Sequence, residues 1–105
     1  MSDAYSYRLT PAAQRDIAEI ADYIAFELSA RDSAVRLIDA MESAIQRACR
    51  YPHAAPIVND PLLSQRGYRK LVVENYVIFY LCDDDSRILN VMRVLYHARD
   101  RLKNL

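Results

Sequence analysis

The side chains in this sequence that could take part in chemistry are basic and aromatic residues in its C-terminal half. Arg69 lies near the start of one β-rich run, Arg93 and Tyr96 lie near the end of another, and His97 follows directly. Tyrosine and histidine can exchange protons, while arginine stabilises negative charge. This set suits metal-free RNA cleavage, in which the 2′-hydroxyl attacks the adjacent phosphate. If the chain is an enzyme, we expect these four residues to be catalytic.

Three further cations, Lys70, Arg99 and Arg101, are candidates for binding a phosphate or a macromolecular target. The chain as a whole is neutral, with 14 Lys and Arg against 14 Asp and Glu. Neutrality excludes a generally basic nucleic-acid binder but leaves a local basic patch open. The second half of the chain carries the excess of positive charge, so we expect any such patch on its strands and tail.

The spacing along the last β-rich run predicts which of these side chains share a face. On a regular strand Arg93 and His97 lie on one face, whereas Met92, Val94 and Tyr96 lie on the other. We therefore expect Arg93 and His97 to converge and Tyr96 to point into the core. Arg93 lies in an apolar strand and needs either an exposed face or a partner, which an internal Asp, an acidic side chain of a partner protein or a phosphate would supply.

The elements that must position these residues are readable from hydrophobic periodicity. Apolar residues recur at helical spacing over residues 11–29 and 33–50, with a short break that predicts a helical hairpin. Alternating or apolar β-rich runs cover residues 5–10, 68–73, 76–83 and 87–96, and a proline-rich loop is expected over residues 51–64. The order β-α-α-β-β-β predicts one α+β domain over residues 1–105, with the hairpin packed on a mostly antiparallel sheet.

Composition excludes several classes of site. A single glycine, Gly67, is incompatible with glycine-rich phosphate loops, and Cys49 and Cys82 are too few for a disulfide framework or a four-ligand zinc site. The acidic run at residues 83–85 lies between two strands, where Asp favours a turn. We therefore expect no metal and no cofactor.

The sequence also predicts the compartment. The first residues lack the features of a secretory signal, and the longest apolar run is far shorter than the roughly 20 residues that span a bilayer. We expect a cytoplasmic protein that does not insert into membranes.

Taken together, several segments resemble the RelE/ParE toxins of bacterial type II toxin–antitoxin systems. They are GYRKLVV at 67–73, NYVIFY at 75–80, DDD at 83–85, VMRVLYHARD at 91–100 and the opening YRLTPAAQRDI at 7–17. The resemblance covers nearly the whole chain in the same element order. It implies a small toxin that a cognate antitoxin holds inactive, with a homodimer or a heterotetramer with the antitoxin as possible assemblies.

The family uses two unlike mechanisms, and the resemblance leaves the choice between them to individual residues. RelE-like members cut mRNA in the ribosomal A site, whereas ParE-like members bind DNA gyrase. RelE-like members carry an arginine that contacts the scissile phosphate where this chain has Val77. Loss of such a cation would cost about 3 kcal/mol of transition-state stabilisation, by analogy with a lost oxyanion donor.

The missing cation and the neutral charge favour ParE-like gyrase inhibition without chemistry. A RelE-like ribosome-dependent endoribonuclease and a non-toxic antitoxin-binding module are the alternatives. In each case we expect an antitoxin segment to fold into the groove between the helical hairpin and the sheet.

Overall fold

A computed structural model describes residues 4–97 of the chain. The elements in chain order are β1 (Ser6–Leu9), α1 (Pro11–Asp22), a π-helical segment (Tyr23–Glu27), α2 (Arg31–Arg50), α3 (Pro61–Gln65), β2 (Arg69–Val73), β3 (Tyr76–Asp83) and β4 (Ile88–Tyr96). Helices pack on one four-stranded sheet, which confirms the predicted α+β class and a mostly antiparallel sheet.

The sheet has the strand order β1-β4-β3-β2. β2, β3 and β4 form two successive antiparallel hairpins, and β1 pairs with β4 in parallel. The hairpin turns hold Glu74 and Arg87 at positive φ. The chain thus returns its last strand to the centre of the sheet, beside the first.

The helical hairpin forms largely as its periodicity predicts. The Thr10 side chain accepts a hydrogen bond from the Ala13 amide at 3.0 Å, and Pro11 occupies the first helical position, so α1 has a complete N-terminal cap. Its helical path continues through the π-helical segment and ends at Glu27 rather than at residue 29. The second helix begins at Arg31, two residues before the predicted start.

The main core lies between α2 and the sheet. Met41 on α2, Ile78 and Tyr80 on β3, and Leu89 on β4 are almost completely inaccessible to solvent. α1 is covered less well, because Ala13 is its single fully buried residue. The hairpin therefore contributes one well-packed helix and one helix with an apolar stripe that is only partly covered.

A second, smaller cluster lies on the opposite face of the sheet, beneath the segment between α2 and β2. It contains Val58, Leu63, Tyr68, Val77 and Phe79. The prediction of a loop over residues 51–64 is wrong from Pro61 onward, because α3 begins at that residue.

The cap of α3 explains why this helix forms. The Asp60 carboxylate accepts hydrogen bonds from the Leu62 and Leu63 amides, and Pro61 is the first helical residue. No helix within residues 4–97 combines the length and apolarity needed to cross a bilayer.

Candidate functional site

Arg93, one of the four residues expected to be catalytic if the chain is an enzyme, is bound by a carboxylate of the same chain. Arg93 Nε donates to Asp16 Oδ2 at 2.7 Å and Arg93 Nη2 donates to Asp16 Oδ1 at 3.0 Å, a two-point ion pair between β4 and α1. The hydrogen bond to Asp16 raises the pKa of Arg93. An internal Asp therefore supplies the partner that the sequence required.

Asp16 also completes the hydrogen bonding of the sheet edge. β1 pairs with β4 as far as Leu9 and Val91, and beyond that point the Val94 amide donates to Asp16 Oδ2 at 3.0 Å. The Thr10 hydroxyl donates to the Met92 carbonyl at 2.9 Å. Thr10, the N-cap of α1, and Asp16, on its second turn, thus form hydrogen bonds with backbone groups of β4 where the neighbouring strand β1 has ended.

A β-bulge at Met92 changes the predicted face of that residue. Val91 lies opposite Tyr80 and Arg93 lies opposite Phe79, so Met92 is the extra residue. Met92 packs in the second cluster, whereas Val94 packs in the main core, so the expectation that these two residues share a face is wrong. The bulge keeps Arg93 away from the main core even though Leu89 and Val91 face it.

Arg69 and Lys70 lie on opposite faces of β2. Arg69 pairs opposite Tyr80, on the helix-covered face, and its Nη1 donates to the Ala55 carbonyl at 2.6 Å. Lys70 pairs opposite Phe79, on the face of the second cluster, and is half-buried. Lys70 therefore shares a face with Arg93, whereas Arg69 does not.

Tyr96 and His97 lie at the far end of β4. Tyr96 pairs with Tyr76, and their rings meet edge to face at 5.5 Å between centroids. Tyr96 is 50% exposed, so the expectation that it is a core residue is wrong. His97 follows the strand and its amide donates to the Asn75 carbonyl at 2.6 Å.

The structure does not bring the four candidate catalytic residues together. Arg69 and Tyr96 are separated by four residues along the strands and by two strand spacings, which is about 16 Å between their Cα atoms. Arg93 lies on the face of the sheet opposite to that of Arg69, where Asp16 binds it. Two target-binding candidates, Arg99 and Arg101, lie outside the described residues.

A groove opens beside Tyr96, between the helical hairpin and the end of the sheet. It has a volume of about 810 Å³. One wall carries Tyr23, Ile24 and Leu28, and the other carries Tyr76 and Tyr96. It lies between the helical hairpin and the sheet, where the sequence predicts a groove.

Acidic residues border the groove. Glu19 lies on α1 and Glu74 on the β2–β3 turn, and Asp16, whose carboxylate binds Arg93, also lines the groove. Burial raises the pKa of the Tyr76 phenol, and the neighbouring Tyr96 and Tyr23 raise it further, so this hydroxyl stays neutral in the groove. The result is an apolar trough with a negative border.

Sequence reasoning missed the acidic border of the groove and the identity of the residue that pairs with Arg93. One signal was available for the Arg93–Asp16 ion pair. Arg93 in an apolar run needs a partner, and Asp16 lies off the apolar stripe of the helix that precedes it in the fold. The acidic border had no comparable signal, because Glu19 and Glu74 are 55 positions apart in the chain.

Comparison with solved structures identifies two similar folds. A chain of the chromosomal ParDE toxin–antitoxin system from P. aeruginosa superposes with a TM-score of 0.71 at 16% identity, covering 90% of this chain and 98% of that one. A chain of the RelBE2 toxin–antitoxin complex from Mycobacterium tuberculosis gives a TM-score of 0.60 at 20% identity, covering 89% and 98%. At these identities the likeness establishes the fold.

The family follows from the sequence match. No curated protein matches the chain significantly. Residues 7–101 match the family described as the ParE toxin of type II toxin–antitoxin systems, parDE. Because this match extends over almost the entire chain, the protein belongs to the ParE toxin family of type II toxin–antitoxin systems, within the RelE/ParE superfamily.

Proposed function

We propose that this protein is a cytoplasmic growth inhibitor that acts by binding DNA gyrase, without chemistry of its own, and that a cognate antitoxin neutralises it. The observation that carries the choice of mechanism is the Arg93–Asp16 ion pair. A cation that stabilises a phosphorane must be free to face the phosphate in the transition state. Arg93 instead has two of its nitrogens on a carboxylate of its own chain.

The remaining candidates support the same choice. Arg69 is bound to the Ala55 carbonyl on the opposite face of the sheet from Arg93. Val77, at the position where RelE-like toxins have an arginine, is 7% exposed and packs in the second cluster. Arg69 and Tyr96 lie about 16 Å apart, which is too far for both to act on one phosphate.

The antitoxin segment is proposed to bind in the groove as an amphipathic helix. The aromatic and aliphatic walls at Tyr23, Leu28 and Tyr96 match the apolar face of such a helix. Glu19 and Glu74 at the border favour Lys or Arg beside that face. The antitoxin can therefore be acidic overall, but the segment that enters this groove should carry basic residues.

The mechanism is tested by induced expression without the antitoxin. Gyrase inhibition predicts a DNA-damage response, loss of supercoiling, and inhibition of purified gyrase by the purified protein. Sequencing of RNA ends should show no new cleavage at A-site codons. Rapid translation arrest with A-site cuts would overturn the proposal in favour of the endoribonuclease, and normal growth with soluble protein would favour the non-toxic binding module.

The docking site is tested by a matched pair of charge substitutions. Leu28 lies in the groove and is 55% exposed, and Leu62 lies on α3, outside the groove, and is 73% exposed. Leu28→Lys should weaken antitoxin binding by at least about tenfold while leaving growth inhibition intact. Leu62→Lys should be neutralised like the parent protein. Equal neutralisation of both variants would contradict the groove as the docking site.

The assembly is a further part of the proposal. The groove is formed by one copy of the chain, so each toxin can receive its own antitoxin segment. Paired antitoxins would then give a heterotetramer, which light scattering of the purified complex distinguishes from a heterodimer or a toxin homodimer.

A further inference from the structure

Three potential metal ligands meet at the end of the sheet that lies away from the groove. Among residues 4–97, the donor atoms of His53, Cys82 and Asp84 lie within 4.8 Å of one another. His53 Nε2 is 3.1 Å from Asp84 Oδ1. Cys82 lies at the end of β3 and Asp84 in the turn that follows it, and the fold brings His53, from the segment after α2, against them.

Neighbouring contacts fix the segment that carries His53. The Pro52 carbonyl accepts a hydrogen bond from the Tyr80 hydroxyl at 2.8 Å, and this bond holds the backbone directly before His53 against β3. The Cys82 thiol donates to the same carbonyl at 3.5 Å, a weak contact that metal binding would replace. The Tyr5 ring meets the His53 ring edge to face at 6.4 Å, which limits the directions the imidazole can take.

The carboxylate ligand is positioned equally closely. The Tyr5 hydroxyl donates to Asp84 Oδ1 at 2.7 Å. The turn that carries Asp84 is closed by the Ser86 amide, which donates to Asp83 Oδ1 at 3.3 Å. A hydroxyl that donates to a carboxylate is the kind of outer contact that orients a metal ligand.

We propose that His53, Cys82 and Asp84 bind one Zn²⁺ ion, with water as the fourth ligand. Thiolate, imidazole and carboxylate together suit zinc, whereas magnesium and calcium prefer an all-oxygen set. Tetrahedral zinc places its ligand atoms about 3.5 Å apart. The three donor atoms are already within 4.8 Å of one another, so side-chain rotations that move each donor atom by about 1 Å complete the geometry.

Zinc binding would release the thiol proton. The Zn–Sγ bond replaces the S–H bond of Cys82, one proton passes to water, and the metal stays in the same oxidation state. Because the metal and the proton compete for the same sulfur, zinc affinity should increase with pH.

The site is independent of the proposed antitoxin groove. Along β3, Tyr76 at the groove and Asp83 beside the metal site are about 23 Å apart. A bound ion would tie the segment after α2 to the β3–β4 turn. Its effect should therefore be on the stability of this end of the sheet rather than on antitoxin binding.

Cobalt(II) provides a direct test, because a thiolate-to-cobalt charge-transfer band reports a sulfur ligand. The full-length protein is stripped with EDTA, desalted and titrated with Co²⁺ and then Zn²⁺. We expect one equivalent of Co²⁺ to produce the charge-transfer band together with the visible absorption of tetrahedral cobalt. Zn²⁺ should then displace the cobalt and remove both signals.

The chain contains two cysteines, which supplies a matched control. Cys82→Ser should abolish the band, and Cys49→Ser should retain it. His53→Gln and Asp84→Asn should each weaken binding by more than about 100-fold, and Tyr5→Phe by about tenfold. Circular dichroism in EDTA checks that each variant is folded.

Three results would overturn the proposal. They are the absence of a charge-transfer band in the folded parent protein, a band that survives Cys82→Ser, and a band that saturates only at a large excess of Co²⁺. Retained antitoxin neutralisation in a Cys82→Ser variant that has lost the band would show that the metal site and the groove act separately.

Discussion

Replacement of Asp16 by alanine should destabilise the protein by about 3 kcal/mol. The Asp16 carboxylate accepts three hydrogen bonds, two from the Arg93 guanidinium and one from the Val94 amide. Alanine removes both carboxylate oxygens, and with them all three hydrogen bonds to the Arg93 guanidinium and the Val94 amide. One small substitution therefore affects both the ion pair and the edge of the sheet.

The magnitude follows from how far water can replace the carboxylate. The side chains of Arg93 and Asp16 are 27% and 11% exposed. Breaking a fully buried ion pair on one side costs about 3–5 kcal/mol, and an unsatisfied amide costs about 1–3 kcal/mol. Because water reaches part of the Arg93 side chain, we expect a loss of about 2–4 kcal/mol rather than the sum.

Urea denaturation of a double-mutant cycle measures the interaction itself. The cycle uses Asp16→Ala, Arg93→Met and the double variant, and we expect a coupling energy of about 2 kcal/mol. Asp22→Ala is the matched control, since Asp22 is an exposed carboxylate on the same helix. It should change stability by no more than about 0.5 kcal/mol.

The reasoning would be refuted by a coupling energy below about 0.5 kcal/mol, or by an Asp16→Ala variant as stable as Asp22→Ala. The same double variant also tests the mechanism. If it folds and still inhibits growth, Arg93 is not needed for toxicity, as gyrase binding predicts. If it folds but has lost toxicity while retaining antitoxin binding, the endoribonuclease gains support.

Three further predictions concern the core, the first helix cap and alkaline pH. Met41→Ala should cost about 3 kcal/mol in urea denaturation, because Met41 is 2% exposed and its loss leaves a cavity. Thr10→Ala should cost about 1–2 kcal/mol by the same assay, because it removes a helix cap and a bond to β4. Burial raises the pKa of Tyr80 from 10 to about 12. The folded state therefore keeps a proton that the unfolded state loses, and stability should fall as the pH rises from 10 to 12. Tyr80→Phe should make the decline of the urea midpoint shallower.

Local patterns were sufficient to predict most of the elements. The apolar residues of α2 recur on one helical face, and Ala34, Met41, Ile45 and Ala48 of that stripe are buried. Strand β3 has the predicted bounds. Such patterns succeed because a helix or strand must turn one face to the core, and that requirement acts on residues close in sequence.

Two local features were misread for identifiable reasons. Residues 61–65 form a helix because Asp60 and Pro61 are a cap and a first helical residue, but the prolines of the surrounding segment suggested a loop. Leu28 continues the apolar stripe of the first helix, yet it is 55% exposed and lines the groove. Its exposure arises because none of the strands and helices within residues 4–97 covers this end of the hairpin.

The placement of the site residues depended on contacts that periodicity does not contain. Alternation along a strand predicts faces only while the register is regular, and the bulge at Met92 interrupts it. The partner of Arg93 lies 77 positions away, on a helix whose angle to the sheet the sequence does not specify. Residue types therefore indicated that Arg93 needed an anion, but the geometry decided which one.

The Arg93–Asp16 ion pair and the groove have a common origin in the unequal lengths of two neighbouring strands. β1 has 4 residues and β4 has 9, so no strand within residues 4–97 lies beside the second half of β4 on the β1 side. The chain turns into α1 at this point, and Thr10 and Asp16 bond the exposed edge as far as Val94. Beyond Val94 the hairpin and the sheet diverge, and Tyr96 is left at the wall of the groove. An antitoxin helix entering there would meet aromatic side chains and the carboxylates of the border. It would not meet the positive charge of Arg93, which Asp16 already balances, so basic rather than acidic residues should favour its binding.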